Sequence, residues 1–105
     1  MGIKLWIDDV RPAPQGWLWA KTVWDAIKVI EESEPDINFY GEPITLISLD
    51  HDAGIYYPMG GDFIRVLDWL EETGRNYPIH IHSANAVGVH NMRRIIQKNG
   101  WKEVF

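Results

Sequence analysis

Residues 44–52 read ITLISLDHD. The first six positions are mostly apolar and rich in β-branched residues, and then the chain runs straight into Asp50, His51 and Asp52. A short, continuous apolar run that ends abruptly is how a buried strand of a parallel sheet reads. Working outward, residues 4–7 form a second such run, with Trp and Ile, stopped by Asp8 and Asp9 and by Arg11-Pro12. Pro12 and Pro14 forbid a long helix directly after it. Residues 17–20 read as a further short strand, and residues 78–82 as another that ends at His82-Ser83.

Helical spacing fills the gaps between these strands. Thr22 stands as an N-cap with Asp25 three residues on, and Val23, Ala26, Ile27 and Ile30 follow on one face, so a helix is expected over 23–32. Residues 34–43 read as a loop. Phe63, Ile64, Leu67 and Leu70 make one stripe over 63–73, closed by Gly74. Asn85 caps a last helix whose apolar face is Val89, Met92, Ile95 and Ile96, stopped by Asn99-Gly100. Residues 101–105 read as an edge strand. The alternation predicts an α/β domain: a mostly parallel sheet of four or five strands with helices on both faces.

Composition bounds the function. One domain over residues 1–105 is expected from the length, and 46% hydrophobic content with six Trp supplies a core. Cysteine is absent, which removes disulfides and thiolate metal sites and suits a reducing, cytoplasmic setting. No apolar stretch approaches the ~20 residues of a membrane span, so no membrane partner is expected. The formal charge of −5 argues against a broad nucleic-acid surface. A pocket that handles one phosphate is compatible with it. Oligomeric state is left open.

Three strands end in polar groups: Asp8-Asp9, Asp50-His51-Asp52 and His82-Ser83. In an open parallel sheet these ends lie on one edge, where ligands bind. Several carboxylates in one crevice are unfavourable unless a cation neutralises them. Oxygen ligation by Asp8, Asp9, Asp50 and Asp52 suits Mg²⁺, and a histidine ligand widens the choice to Mn²⁺. His51 and His82 are candidate general acid and base, since imidazole titrates near neutral pH. Arg11 offers a forked clamp for phosphate. Ser83 and the helix start at Asn85 offer further donors, and Arg93 is a weaker candidate. Taken singly, each residue has a simpler role. Asp-Asp is a common turn feature, Asp52 can bond its own loop, Ser83 and Asn85 can serve only as a cap, and His80 reads as a satisfied sheet residue. Most of the Trp residues read as core or loop packing. The agreement of three strand ends favours a site.

The order acid pair, Asp, hydroxyl at Asp8, Asp9, Asp50 and Ser83 resembles the receiver domain of response regulators. That resemblance implies Mg²⁺ at the acid pair and a phosphoryl acceptor at Asp50. The chain departs from it: a Pro-containing loop, RPAPQG, replaces the first helix, and the receiver's later Lys has no counterpart. The segments WIDDVRPAPQGW, ISLDHDAG and IHSANAVGVHNMRR are more similar to an offshoot, the cyclic-phosphate processing receiver-like domain. This resemblance implies a flavodoxin-like fold that lacks the first helix. It also implies a metal-dependent phosphoesterase acting on a cyclic phosphate or related ester of a nucleotide, an RNA end or an ADP-ribose derivative. The rival readings are a signalling module phosphorylated at Asp50 and a domain that only binds a phosphorylated ligand.

Overall fold

The computed structural model describes residues 2–34 and 42–105. Most of the loop expected over 34–43 lies outside the described residues. Four strands, β1 (Ile3–Ile7), β2 (Leu18–Ala20), β3 (Ile44–Leu49) and β4 (Ile79–Ile81), form one sheet in the order β2-β1-β3-β4. Every pairing is parallel, with Leu5 opposite Leu18 and Ile47, and Ile47 opposite Ile79. Three α-helices follow the strands: α1 (Val23–Glu32), α2 (Ile64–Glu72) and α3 (Ala86–Asn99). The fold is the receiver-like α/β arrangement.

Local chemistry sets the helix ends. Thr22 Oγ1 accepts the Asp25 N–H at 3.0 Å to open α1, and Asn85 Oδ1 accepts the Gly88 N–H at 2.9 Å to open α3. Gly100, at φ +67°, closes α3 in the left-handed conformation that costs glycine little. α2 begins one residue after the expected start, with Phe63 as its cap residue and its ring buried in the core.

The core lies on one side of the sheet. Leu5, Ile7, Ile47, Leu49 and Ile79 point to one face and share a single cluster with Val23, Ala26 and Ile30 of α1, Val66, Leu67 and Leu70 of α2, and Met92 and Ile96 of α3. α2 sits between the other two helices. The expectation of helices on both faces is therefore corrected: the described helices form one layer. Crossover handedness explains it. The connections β2-α1-β3 and β3-α2-β4 travel the same way across the sheet, so right-handed crossovers put their helices on the same face. Only the β1-to-β2 connection travels the other way, and its residues 8–17 contain no helix. The opposite face carries Lys4, Trp6, Trp19, Ser48 and His80 without a helix over it among the described residues.

The C-terminal segment makes one parallel bridge, Ile79 to Glu103, in place of the full edge strand expected over 101–105. Of the six Trp, Trp101 alone is in the buried core, while Trp24 is 61% exposed.

Candidate functional site

The crevice at the carboxyl ends of β1 and β3 gathers three acids. Asp8, Asp9 and Asp50 each present a carboxylate oxygen within 4.8 Å of the others. Each is held differently. Asp8 is fully buried, and its Oδ1 accepts the N–H groups of Val10 at 2.9 Å and Arg11 at 2.8 Å. Burial opposes its charge, yet those N–H groups and the His82 imidazole together hold its carboxyl below the usual range. For Asp9 the support of its own backbone N–H is outweighed. Burial pushes it up, and the neighbouring charges of Asp8 and Asp50 push it further. Asp9 lies against Gly54, where φ is +57° and an added Cβ would overlap the carboxylate. Asp50 is half-buried, and its Oδ1 accepts the N–H of His51 at 2.7 Å.

His82 links this cluster to the sheet. Its Nε2 donates to Asp8 Oδ2 at 2.9 Å, and its Nδ1 accepts from Ser48 Oγ at 2.7 Å. The ring of Trp6 stacks on it at 3.7 Å between centroids. Burial pushes the imidazole below its ordinary value, outweighing the pull of Asp8. The neutral Nε2–H tautomer satisfies every partner: a donor to the carboxylate on one side, an acceptor for the buried hydroxyl on the other. Both ring nitrogens are thus engaged.

His51 is arranged in another way. Its Nδ1 bonds Asp52 Oδ1 at 2.9 Å, and Asn85 Nδ2 donates to the same Asp52 oxygen at 3.2 Å. The hydrogen bond to His51 is the main reason Asp52 sits below its usual range. The His51 ring packs against Gly88, in the first turn of α3, where a Cβ would collide with it. No hydrogen bond occupies its Nε2 among the described residues. His51, Asp52 and Asp62 form a second group whose ligand-type atoms lie within 4.8 Å of one another.

The sequence candidates thus separate. Asp8, Asp9 and Asp50 meet in one cluster, to which His82 is bonded, and Asp52 joins His51 beside it. Arg11 is exposed at the rim, its Nη1 donating to the His82 carbonyl at 3.3 Å. Ser83 Oγ accepts the Asn85 N–H, and Asn85 ties the start of α3 to Asp52. Arg93 is not brought to the acids. Its guanidinium is held by Glu103 through Nε at 2.9 Å and Nη2 at 2.6 Å, and Glu103 bridges the first residue of β4. Sequence reasoning missed Ser48, Trp6 and Asp62. A hydroxyl in the buried half of a mostly apolar strand was a usable signal for Ser48, whereas the stacking of Trp6 on His82 joins residues on separate strand ends.

The sequence profile of the cyclic-phosphate processing receiver domain matches residues 3–98. The chain belongs to this family. No curated protein and no solved structure matches it. As a cyclic-phosphate processing receiver domain, it keeps the acid pair and the Asp after β3 on one edge of the sheet. Ser48, His82 and Trp6 brace that edge from behind. No described helix of this receiver domain is long and apolar enough to cross a membrane.

Proposed function

We propose that the crevice is the active site of a metal-dependent phosphoesterase that opens a cyclic phosphate or cleaves a related ester of a nucleotide, RNA end or ADP-ribose derivative. The observation that carries this reading is the convergence of Asp8, Asp9 and Asp50, with Asp9 pushed up by burial and further by its two neighbours. Asp8, Asp9 and Asp50 would hold a divalent cation, Mg²⁺ or Mn²⁺, which would relieve that repulsion, and these oxygen donors are the set that hard cations prefer. Bound there, it would polarise a phosphoryl oxygen and neutralise developing charge.

The chain's own residues divide the remaining work. His51, with Nε2 unengaged and Nδ1 oriented by Asp52, takes the proton from the attacking water. The new P–O bond forms as one ester P–O bond of the ring breaks, and the leaving oxygen takes up a proton from solvent. His82 serves as the brace that keeps Asp8 ionised and aimed. Arg11 and Ser83 supply donors to the phosphate oxygens. A second reading, a signalling domain phosphorylated at Asp50, is favoured by that residue's place beside the acid pair.

Phosphorus NMR separates the two. Purified protein with Mg²⁺ or Mn²⁺ is given 2′,3′-cyclic nucleotides and an ADP-ribose cyclic phosphate. The expected result is ring opening that Asp50→Ala and His51→Ala abolish. No turnover, with an acyl-phosphate signal after acetyl phosphate is added, establishes the signalling reading instead.

A further inference from the structure

The helix-free face of the sheet carries one pattern twice. Lys4 Nζ lies 5.7 Å from the ring centroid of Trp17, and Lys21 Nζ lies 4.4 Å from that of Trp19. The two indoles are two residues apart along one strand direction, roughly 7 Å. Trp6 sits beside them, edge-on to Trp17 at 5.8 Å. Trp19 is 37% exposed. Neither lysine has a carboxylate partner among the described residues, whereas Arg75, Arg93 and Lys98 are each paired with a glutamate. On a chain of net charge −5 this is a local reversal of sign.

We propose that this face docks single-stranded nucleic acid, with bases on Trp17 and Trp19 and phosphates on Lys4 and Lys21. Indoles with adjacent cations are the combination that holds a strand by stacking and by charge. Each ammonium needs only a rotation of its stem to leave the ring face to a base and reach a phosphate. One indole and one cation suffice for a mononucleotide; a repeated pair fits a strand. Two copies docking this face by a twofold axis would instead bring like charges toward each other. The face is continuous with the crevice, because Trp19 Nε1 donates to the Asp8 carbonyl at 2.8 Å and Trp6 Nε1 to the Arg11 carbonyl at 2.9 Å. Resting on the phosphoesterase reading, this narrows the substrate to the end of an RNA strand. Two unpaired lysines make a narrow strip, consistent with the lack of a broad basic surface.

The test uses a fluorescent ten-nucleotide RNA with a plain 3′-hydroxyl, so that binding is read without turnover. Anisotropy is expected to show binding to the single strand, at least ten-fold weaker binding to a duplex, and weak competition by AMP. The salt dependence should have a slope near −1.4, about 0.7 for each of two phosphates neutralised. Lys4→Glu and Lys21→Glu should each weaken binding about ten-fold with unchanged circular dichroism. Trp19→Ala should lose about five-fold or more, and Trp19→Phe should retain most of the affinity. No binding, equal binding of the duplex, equal competition by AMP, or lysine variants that bind like the parent would each overturn the proposal. So would a dimer in sedimentation that Trp19→Ala dissociates. Strand binding without any cyclic-phosphate turnover would leave this surface standing and remove the enzyme reading alone.

Discussion

His82 and Asp8 are 74 residues apart in the chain and are joined by a single hydrogen bond, Nε2 to Oδ2 at 2.9 Å. Because Ser48 holds the other ring nitrogen, the imidazole orients a buried carboxylate and has no nitrogen left for a substrate. Ser48→Ala removes the donor that fixes this tautomer and leaves Nδ1 unsatisfied in a site that is 8% exposed. The expected loss is about 1–3 kcal/mol of stability, the cost of an unmade hydrogen bond at a buried group. Urea unfolding measures it. A Ser48→Ala variant as stable as the parent would show that the bond contributes nothing.

The same pair predicts how stability varies with pH in EDTA. The folded value of His82 is below its ordinary 6.5, so the unfolded chain binds a proton that the folded one refuses. This contribution is complete above about 6.5 and is lost as pH falls through the folded value. Asp8 acts in the same sense in a lower window, below about 4. Asp9 acts in the opposite sense, because its raised value makes ionisation costly as pH climbs through it. Urea midpoints from pH 8 to pH 4 should begin to fall near 6.5, and His82→Gln should flatten that first decline.

Asp9 gives a direct test of the cation site. In EDTA, Asp9→Asn is expected to stabilise the protein, since it removes one of three clustered charges. With Mg²⁺ or Mn²⁺ the parent should gain about 2.7 kcal/mol at a hundred times the dissociation constant, and the variant should gain little. Thermal unfolding with and without cation reads both effects. A parent midpoint that neither ion moves would remove the metal from the mechanism.

Gly88→Ala sets helix propensity against packing. Propensity alone favours alanine by about 1 kcal/mol inside a helix. Here the methyl group would overlap the His51 ring, so a net loss of about 1–3 kcal/mol is expected, as for overpacking elsewhere. Turnover should fall with it, because His51 is displaced from Asp52. A more stable Gly88→Ala protein with full activity would show that the ring has room to move and that its position is unimportant.

Much of the fold was legible because its signals are local. ITLISL reads as a buried parallel strand, and Thr22, Asn85 and Gly100 mark helix ends by the bonds and backbone angles that they alone supply easily. The acid cluster was legible for a topological reason: parallel strands deliver their carboxyl ends to one edge, so Asp8, Asp9 and Asp50 had to approach one another. The position of the helices was not legible from periodicity, which fixes the apolar face of a helix but not the side of the sheet that it covers. That side followed from strand order and crossover handedness.

The sequence by itself determined the four strands and three helices, their alternation and the edge on which the acids meet, because each depends on neighbours in the chain or on strand direction. Only the tertiary structure decided which histidine is engaged and which is open. Ser48, Trp6 and Asp8 close around His82 from two strands and a strand end, whereas Gly88 and Asn85 of the α3 start leave His51 with one nitrogen free among the described residues. The types of the two residues are identical, and the difference lies in their three-dimensional surroundings: burial and hydrogen-bond partners that no local pattern encodes.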